Sequence, residues 1–531
     1  MKNAARVSNS AQRFAAIWLL ALATSLLGCR GSSKGVSGGS GGAAGASPGG
    51  ADGGGGTAAP GGAGGADGGG GIAASGGADG GGGTACGAVP PSGRQIVASS
   101  APLVLAGMTG DGNYVLYIDK KEQLIYAAPI AGGTPVVLGP AKDTIIFPQQ
   151  KGALLTPYGG TTGRLSAWTE AGGMHPIADN AWSFDSEMTD DGSLVAYFSM
   201  TGQTGMITVS TADGTKQTTV ANVGSCGANM QFVQSNLLAS YCVGNSGDSF
   251  GEFFFATFSG PIFAPTIIPA ASPNLGKNTR FRSIDPAGQY VIGRSSGALS
   301  LYPIAGGAPV DVDTKGMLMF ARFLENGDVL YTTTEGDIVR YTPATTNKTI
   351  LISSSSGYLF DTLERHSLDL KWIFVSDDTN MVTGVGHLYL TSLAVPGPMT
   401  DLQPDVVPAG FTTDSLFALF HSAAKQVPFA STLYAVSVAG GSPVKVEATA
   451  GDMSPLAGSK ILTNTNLMNY DFQTSIGKAD IEVIDLQRPT EKMILVTQAG
   501  LKPQVTPNRD IVYAWSCDPG PNAGIWVTPS P

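Results

Sequence analysis

A motif that recurs along the chain limits its fold more than any other feature. Met108 to Ile118 (MTGDGNYVLYI) sets an Asp-Gly turn before a run of aromatic and β-branched residues. A second run follows from Gln123 to Ile130, then Gly132-Gly133, then a third from Pro135 to Leu138. The same order returns at Thr189–Phe198, at Asp285–Ile292 with Leu299–Gly307, at Glu325–Tyr331, at Asp369–Val375 and at Thr413–Phe420. Leu433–Gly441 repeats the second run, and the turns fall near residues 111, 151, 191, 236, 287, 326, 369, 414, 458 and 508. Their mean spacing is about 44 residues, a period shared by four-stranded β units and by helix-pair solenoids. Composition separates the two. The runs are Val, Ile, Tyr, Phe and Thr bounded by Gly, Asp, Asn and Pro, and none offers a capped helical pattern beyond about two turns. They are nearly continuous rather than alternating, as in Leu194–Phe198, which predicts strands covered on both faces.

The pattern resembles the TolB-type, WD-repeat-like propellers, whose blades carry an Asp-Gly turn before a strand ending in Tyr, then Gly-Gly before the outer strand. The resemblance implies that residues 94–531 are all-β, a β-propeller of four-stranded antiparallel blades with about 7–10 blade-like repeats. Ten turns exceed the usual blade number. An unusually large single propeller, two smaller ones, or two weak units that are not blades all fit the sequence. The last unit, Leu501 to Pro531, supplies only about three strands of a blade. Arg94–Ser99 is the segment that would complete it from the N-terminal side.

The N-terminus reads differently. Lys2, Arg6 and Arg13 precede an apolar stretch from Phe14 to Leu27. A helix needs about twenty apolar residues to span a bilayer, so this stretch fits a secretory signal. Leu26-Leu27-Gly28-Cys29 resembles the lipobox of bacterial lipoproteins. That implies removal of residues 1–28 and lipidation of Cys29, where two or more acyl chains give stable attachment to a lipid bilayer. An ordinary signal peptide containing a cysteine is the alternative. Arg30 stands where lipoproteins of the inner membrane often carry Asp, which implies sorting to the outer membrane of the cell envelope.

Residues 29–93 form a leash. Between residues 31 and 90 lie 28 of the chain's 74 glycines, and Ala-Asp-Gly-Gly-Gly-Gly recurs at Ala51, Ala66 and Ala78. Such a segment buries too little to offset its ordering entropy and is expected to be disordered. As a Gly-rich coil it spans about 40 Å root-mean-square between Cys29 and Cys86, and roughly 190 Å fully stretched. Its two G-x-S-x-G matches, at Gly35 and Gly45, lack the strand-to-helix turn that a nucleophile elbow requires.

Beyond Cys29 the chain has Cys86, Cys226, Cys242 and Cys517, which allow three pairings in an oxidising compartment. Cys226 and Cys242 flank an expected hairpin centred near Gln234, leaving Cys86 with Cys517; free thiols are the alternative. No C-x-x-C spacing occurs, and His175, His366, His387 and His421 are scattered, so no metal site is read. Asp190-Asp191, Asp377-Asp378 and Asp401 with Asp405 lack the spacing of a calcium loop. The net charge of −10 disfavours nucleic acid and anionic lipid as partners. No catalytic motif and no cofactor motif is present. These features predict a membrane-tethered binding or scaffold module for an envelope protein or glycan. An exported glycan hydrolase or lyase, and an envelope-assembly component like the Tol-system propeller, are the alternatives.

Overall fold

A computed structural model describes residues 91–531, apart from 158–161, 202–203, 225–226, 235–236, 244–252, 260–263, 269–279, 296–297, 306, 354–359, 378–384, 423–430, 452, 472–475 and 516–522. All described residues belong to one compact unit that includes Ala85–Pro531. The described residues contain antiparallel sheets and no helix.

Four sheets have four strands each, over 103–140, 227–268, 280–313 and 316–352. Two have seven strands, over 144–224 and 360–450, and one of eight combines seven strands of 453–528 with Arg94–Ala98. Each seven-stranded sheet divides at one long strand. Gly173–Met188 pairs through its first part with Thr162–Thr169 and through its last part with Leu194–Thr201. Thr400–Phe411 does the same between Gly386–Ser392 and Phe417–Ser422. In the eight-stranded sheet a single pair, Ala499 with Trp515, joins the two halves. The edge of that sheet is Arg94–Ala98, paired with Gly524–Thr528. The N-terminal segment therefore adds the strand that the C-terminal unit lacks.

The repeat turns each join two successive antiparallel strands; the turn near 236 itself lies outside the described residues. Their geometry follows from a hydroxyl and a carboxylate two positions apart. Thr189 Oγ1 donates to Asp191 Oδ1 at 2.6 Å, and Asp191 Oδ1 accepts from the Ser193 N–H at 3.0 Å. The Leu194 N–H donates to Thr189 Oγ1 at 3.0 Å. Gly192 supplies the left-handed residue, with φ of 74°. Thr109/Asp111, Thr211/Asp213, Ser367/Asp369 and Thr412/Asp414 repeat the hydroxyl-to-carboxylate bond. Such side-chain bonds to the local backbone are what make Ser, Thr and Asp turn formers.

Continuous apolar runs arise where a strand is covered on both faces, by a neighbouring sheet or by another part of its own long sheet. In Leu194–Thr201, Val195 and Tyr197 join a cluster with Leu154, Leu165 and Ile177, whereas Ala196 and Phe198 join Phe232 and Leu238. Later clusters link successive sheets in the same way. Leu299 and Leu301 meet Val329 and Tyr331; Leu330 and Ile338 meet Ile373 and Val375. Within the longer sheets Phe374 meets Phe420 and Val483 meets Tyr513. Leu419 and Leu433 meet Ile461 and Ile484. A last cluster unites Leu103, Leu105 and Val115 with Val97, Val512 and Ile525, so the first sheet packs on the last.

The turns also touch one another. The N–H groups of Gly110 and Asp111 donate to the carbonyls of Gln149 and Gln150. The Asp369 N–H donates to Ser415 Oγ at 3.3 Å, and Thr413 Oγ1 donates to the Leu456 carbonyl at 2.6 Å. Ser459 donates to Asp414, and Arg509 to the Pro455 carbonyl. Gly112 lies against Pro507, linking the first turn to the last.

Candidate functional site

The sequence places its main functional residue, Cys29, in the leash, and Cys29 lies outside the described residues. So do Cys86, Cys226 and Cys517. Cys242 lies in the strand Leu237–Val243, where the register sets it opposite Ala228. The hairpin is thus centred one residue beyond Gln234, and Cys242 faces a position two residues from Cys226. The disulfide pairings remain expectations.

The described end of the leash is held firmly. The Ser92 N–H donates to the Tyr513 hydroxyl at 3.0 Å, and that hydroxyl donates to the Ser92 carbonyl at 2.8 Å. Arg94 sends its guanidinium to the carbonyls of Ile130 and Ala131. Gln95 Nε2 and the Ser99 N–H both reach the Ala523 carbonyl. Val97 is buried in the cluster between the first and last sheets. Burial pushes the Tyr513 hydroxyl pKa up, so it stays a neutral donor. One short segment thereby pairs with Gly524–Thr528, bonds to Tyr513 on the strand beyond it, and touches the first sheet.

Three pairs of chemical groups were not legible in the sequence, because strand pairing brings together residues that are distant or unremarkable along the chain. His421 Nδ1 and Ser431 Oγ stand 2.8 Å apart across the strands Phe417–Ser422 and Ser431–Ser437. His387 Nε2 meets Asp401 Oδ1 at 2.7 Å, and its ring stacks on Tyr389 at 4.6 Å. Glu482 and Asp480 lie buried on one strand, Ile476–Asp485. Of the acidic pairs considered for calcium, Asp191 is used by its turn and Asp401 by His387, while Asp378 lies outside the described residues. Among the described residues no cluster of three or more His, Cys, Asp or Glu side chains has metal-binding geometry. Nor is any described helix long and apolar enough to cross a membrane.

No family model matches the chain. No curated protein matches it. Among solved structures it is similar to the tricorn protease at 12% identity, covering 80% of this chain and 52% of that one, with a TM-score of 0.24. The chain thus spans about half the length of that protease. It is also similar to dihydro-heme d1 dehydrogenase NirN in complex with DHE, at 14% identity over 67% of this chain and 75% of that one, with a TM-score of 0.37. Neither likeness carries an activity to this chain.

Proposed function

We propose that the chain is an exported lipoprotein, anchored through Cys29, whose folded part is a closed ten-bladed propeller that binds or scaffolds an envelope protein or glycan. The observation that carries this reading is the junction at residues 92–99. A leash that only trailed from the fold would need no such attachment. Here its last residues complete the final sheet and bridge to the first, so tension on the anchor is shared by both ends of the array. Support for closure comes from the apolar clusters, which link most successive sheets among the described residues and also link the last to the first. The lipobox and the reach of the leash support a tethered partner-seeking role, since tethering raises the effective concentration of a partner on the same membrane.

Fractionation of cells expressing the wild type and Cys29→Ala tests the anchor. The wild type is expected with the membranes, and the variant in the soluble fraction or as uncut precursor. A wild type that is soluble would remove the tether. Co-purification from detergent-solubilised envelopes then tests the binding role: a partner retained when the leash is replaced, and lost when residues 94–531 are removed, supports it.

An exported enzyme is the second reading, favoured by the Ser431–His421 contact. A fluorophosphonate probe separates the two. Labelling of the wild type that Ser431→Ala abolishes would favour the enzyme; an unlabelled protein favours the binding module.

A further inference from the structure

The seam between the sheet of residues 360–450 and the sheet of 453–528 contains a buried acid. Thr463 is paired with Glu482 and Thr465 with Asp480, while Ile461 is paired with Ile484 one step along. Paired residues, and residues two apart on a strand, share a face. Ile461 and Ile484 pack on Leu419, Leu433 and Val446 of the preceding sheet, so Glu482 points at the same seam. Its side chain and that of Asp480 are each 7% exposed. Glu482 Oε1 accepts from Thr465 Oγ1 at 2.9 Å, and its Oε2 is buried with no hydrogen-bond partner.

The charged neighbours on all sides are accounted for differently. Glu447, from the facing strand Val444–Ala450, is paired with Lys492 and accepts from the Ala448 N–H at 2.7 Å. Asp480 accepts from Asn466 Nδ2 at 2.8 Å and from the Gln498 N–H at 3.0 Å. Both carboxylates are satisfied by donors, and Lys492 on the adjoining strand is engaged by Glu447. Glu482 alone has half its carboxyl group unbonded, between two like charges, where burying a carboxylate costs far more than burying the neutral acid.

We propose that Glu482 is a proton-operated latch of this seam: with its proton on, the two sheets stay closed, and loss of that proton loosens them. Burial pushes its carboxyl group up, helped by Glu447 and Asp480 and opposed by Thr465 and Lys492. A group raised in the folded state lends its stability in full below its ordinary value of 4.5 and loses it as pH rises through the folded value. The latch therefore weakens towards alkaline pH, opposite in sign to Glu447, whose carboxyl group is lowered overall despite its burial.

Hydrogen exchange of the mature full chain in detergent, from pH 5 to 9 and expressed as protection factors, tests this. Peptides covering 444–450 and 476–485 report on the seam. The ratio of wild-type to Glu482→Gln protection is expected to fall with pH, by up to about tenfold per pH unit between the ordinary value of 4.5 and the folded value, and to level off above it. Thr465→Val removes a bond to the ionised form, so its fall is expected to continue to higher pH than in the wild type. This second variant keeps the test decisive should Glu482→Gln fold poorly. Protection ratios that stay constant with pH, or wild-type protection that rises relative to the variant, would overturn the latch.

Discussion

In the repeat turns one hydroxyl and one carboxylate replace hydrogen bonds that the backbone leaves unmade. Asp414 shows the consequence for pH. Burial alone would raise its carboxyl group, but donors from Ser459, Thr412 and the Leu416 N–H outweigh burial and lower it. A lowered group contributes stability above its ordinary value of 3.8 and loses it as pH falls through the folded value. Asp414→Asn is thus expected to cost about 1–2 kcal/mol at neutral pH and to flatten the acid limb of stability, as read by urea unfolding at successive pH values. Glycine at these turns is a matter of conformation at one site and of space at another. Gly192→Ala meets nothing closer than 3.6 Å and is expected to lose about 1 kcal/mol for its positive φ. Gly112→Ala would place its Cβ 2.4 Å from Pro507 Cδ and is expected to lose more. Equal losses in thermal unfolding would show that the contact between first and last turns is not formed. The glycine signal also thins out where Leu370, Ser415 and Arg509 take the left-handed position, at φ of 57°, 60° and 71°. Those copies lack the turn glycine while keeping their Ser or Thr hydroxyl.

Strands were readable because their apolar runs are dense on both sides, as the burial of Val195, Ala196, Tyr197 and Phe198 bears out. The long strands Gly173–Met188 and Thr400–Phe411 were not. Each serves two neighbours through different halves, and the change of partner falls beside Asp179-Asn180 and Pro404-Asp405, residues typical of turns rather than of strand interiors. In the segment Ala479–Ile484 (ADIEVI) acids alternate with apolar residues, yet the acidic face meets the preceding sheet. Elements that join the array's ends carry a sharper expectation. Tyr513→Phe removes both bonds to Ser92 and is expected to cost about 1–3 kcal/mol, with the loss confined to the N-terminal strand. Exchange protection at residues 94–98 would report it; an unchanged strand would mean that the hydroxyl holds nothing.

At the scale of the whole molecule, a repeat array gains its core only by stacking neighbours. An open array leaves two apolar faces in water, whereas here the first sheet's outer face is covered by Val97, Val512 and Ile525. Sequence showed the period, the β class and the segment able to complete the last unit. It could not show what docks on the fold, because binding surfaces are assembled from residues far apart in the chain. The central claim, that residues 94–98 close the array, is tested most directly by hydrogen exchange of the intact mature protein. Closure predicts that amides of 94–98 exchange as slowly as those of Ile511–Trp515 at the heart of the last sheet. Exchange of 94–98 within seconds, beside a protected 511–515, would contradict it and leave the leash attached to an open array.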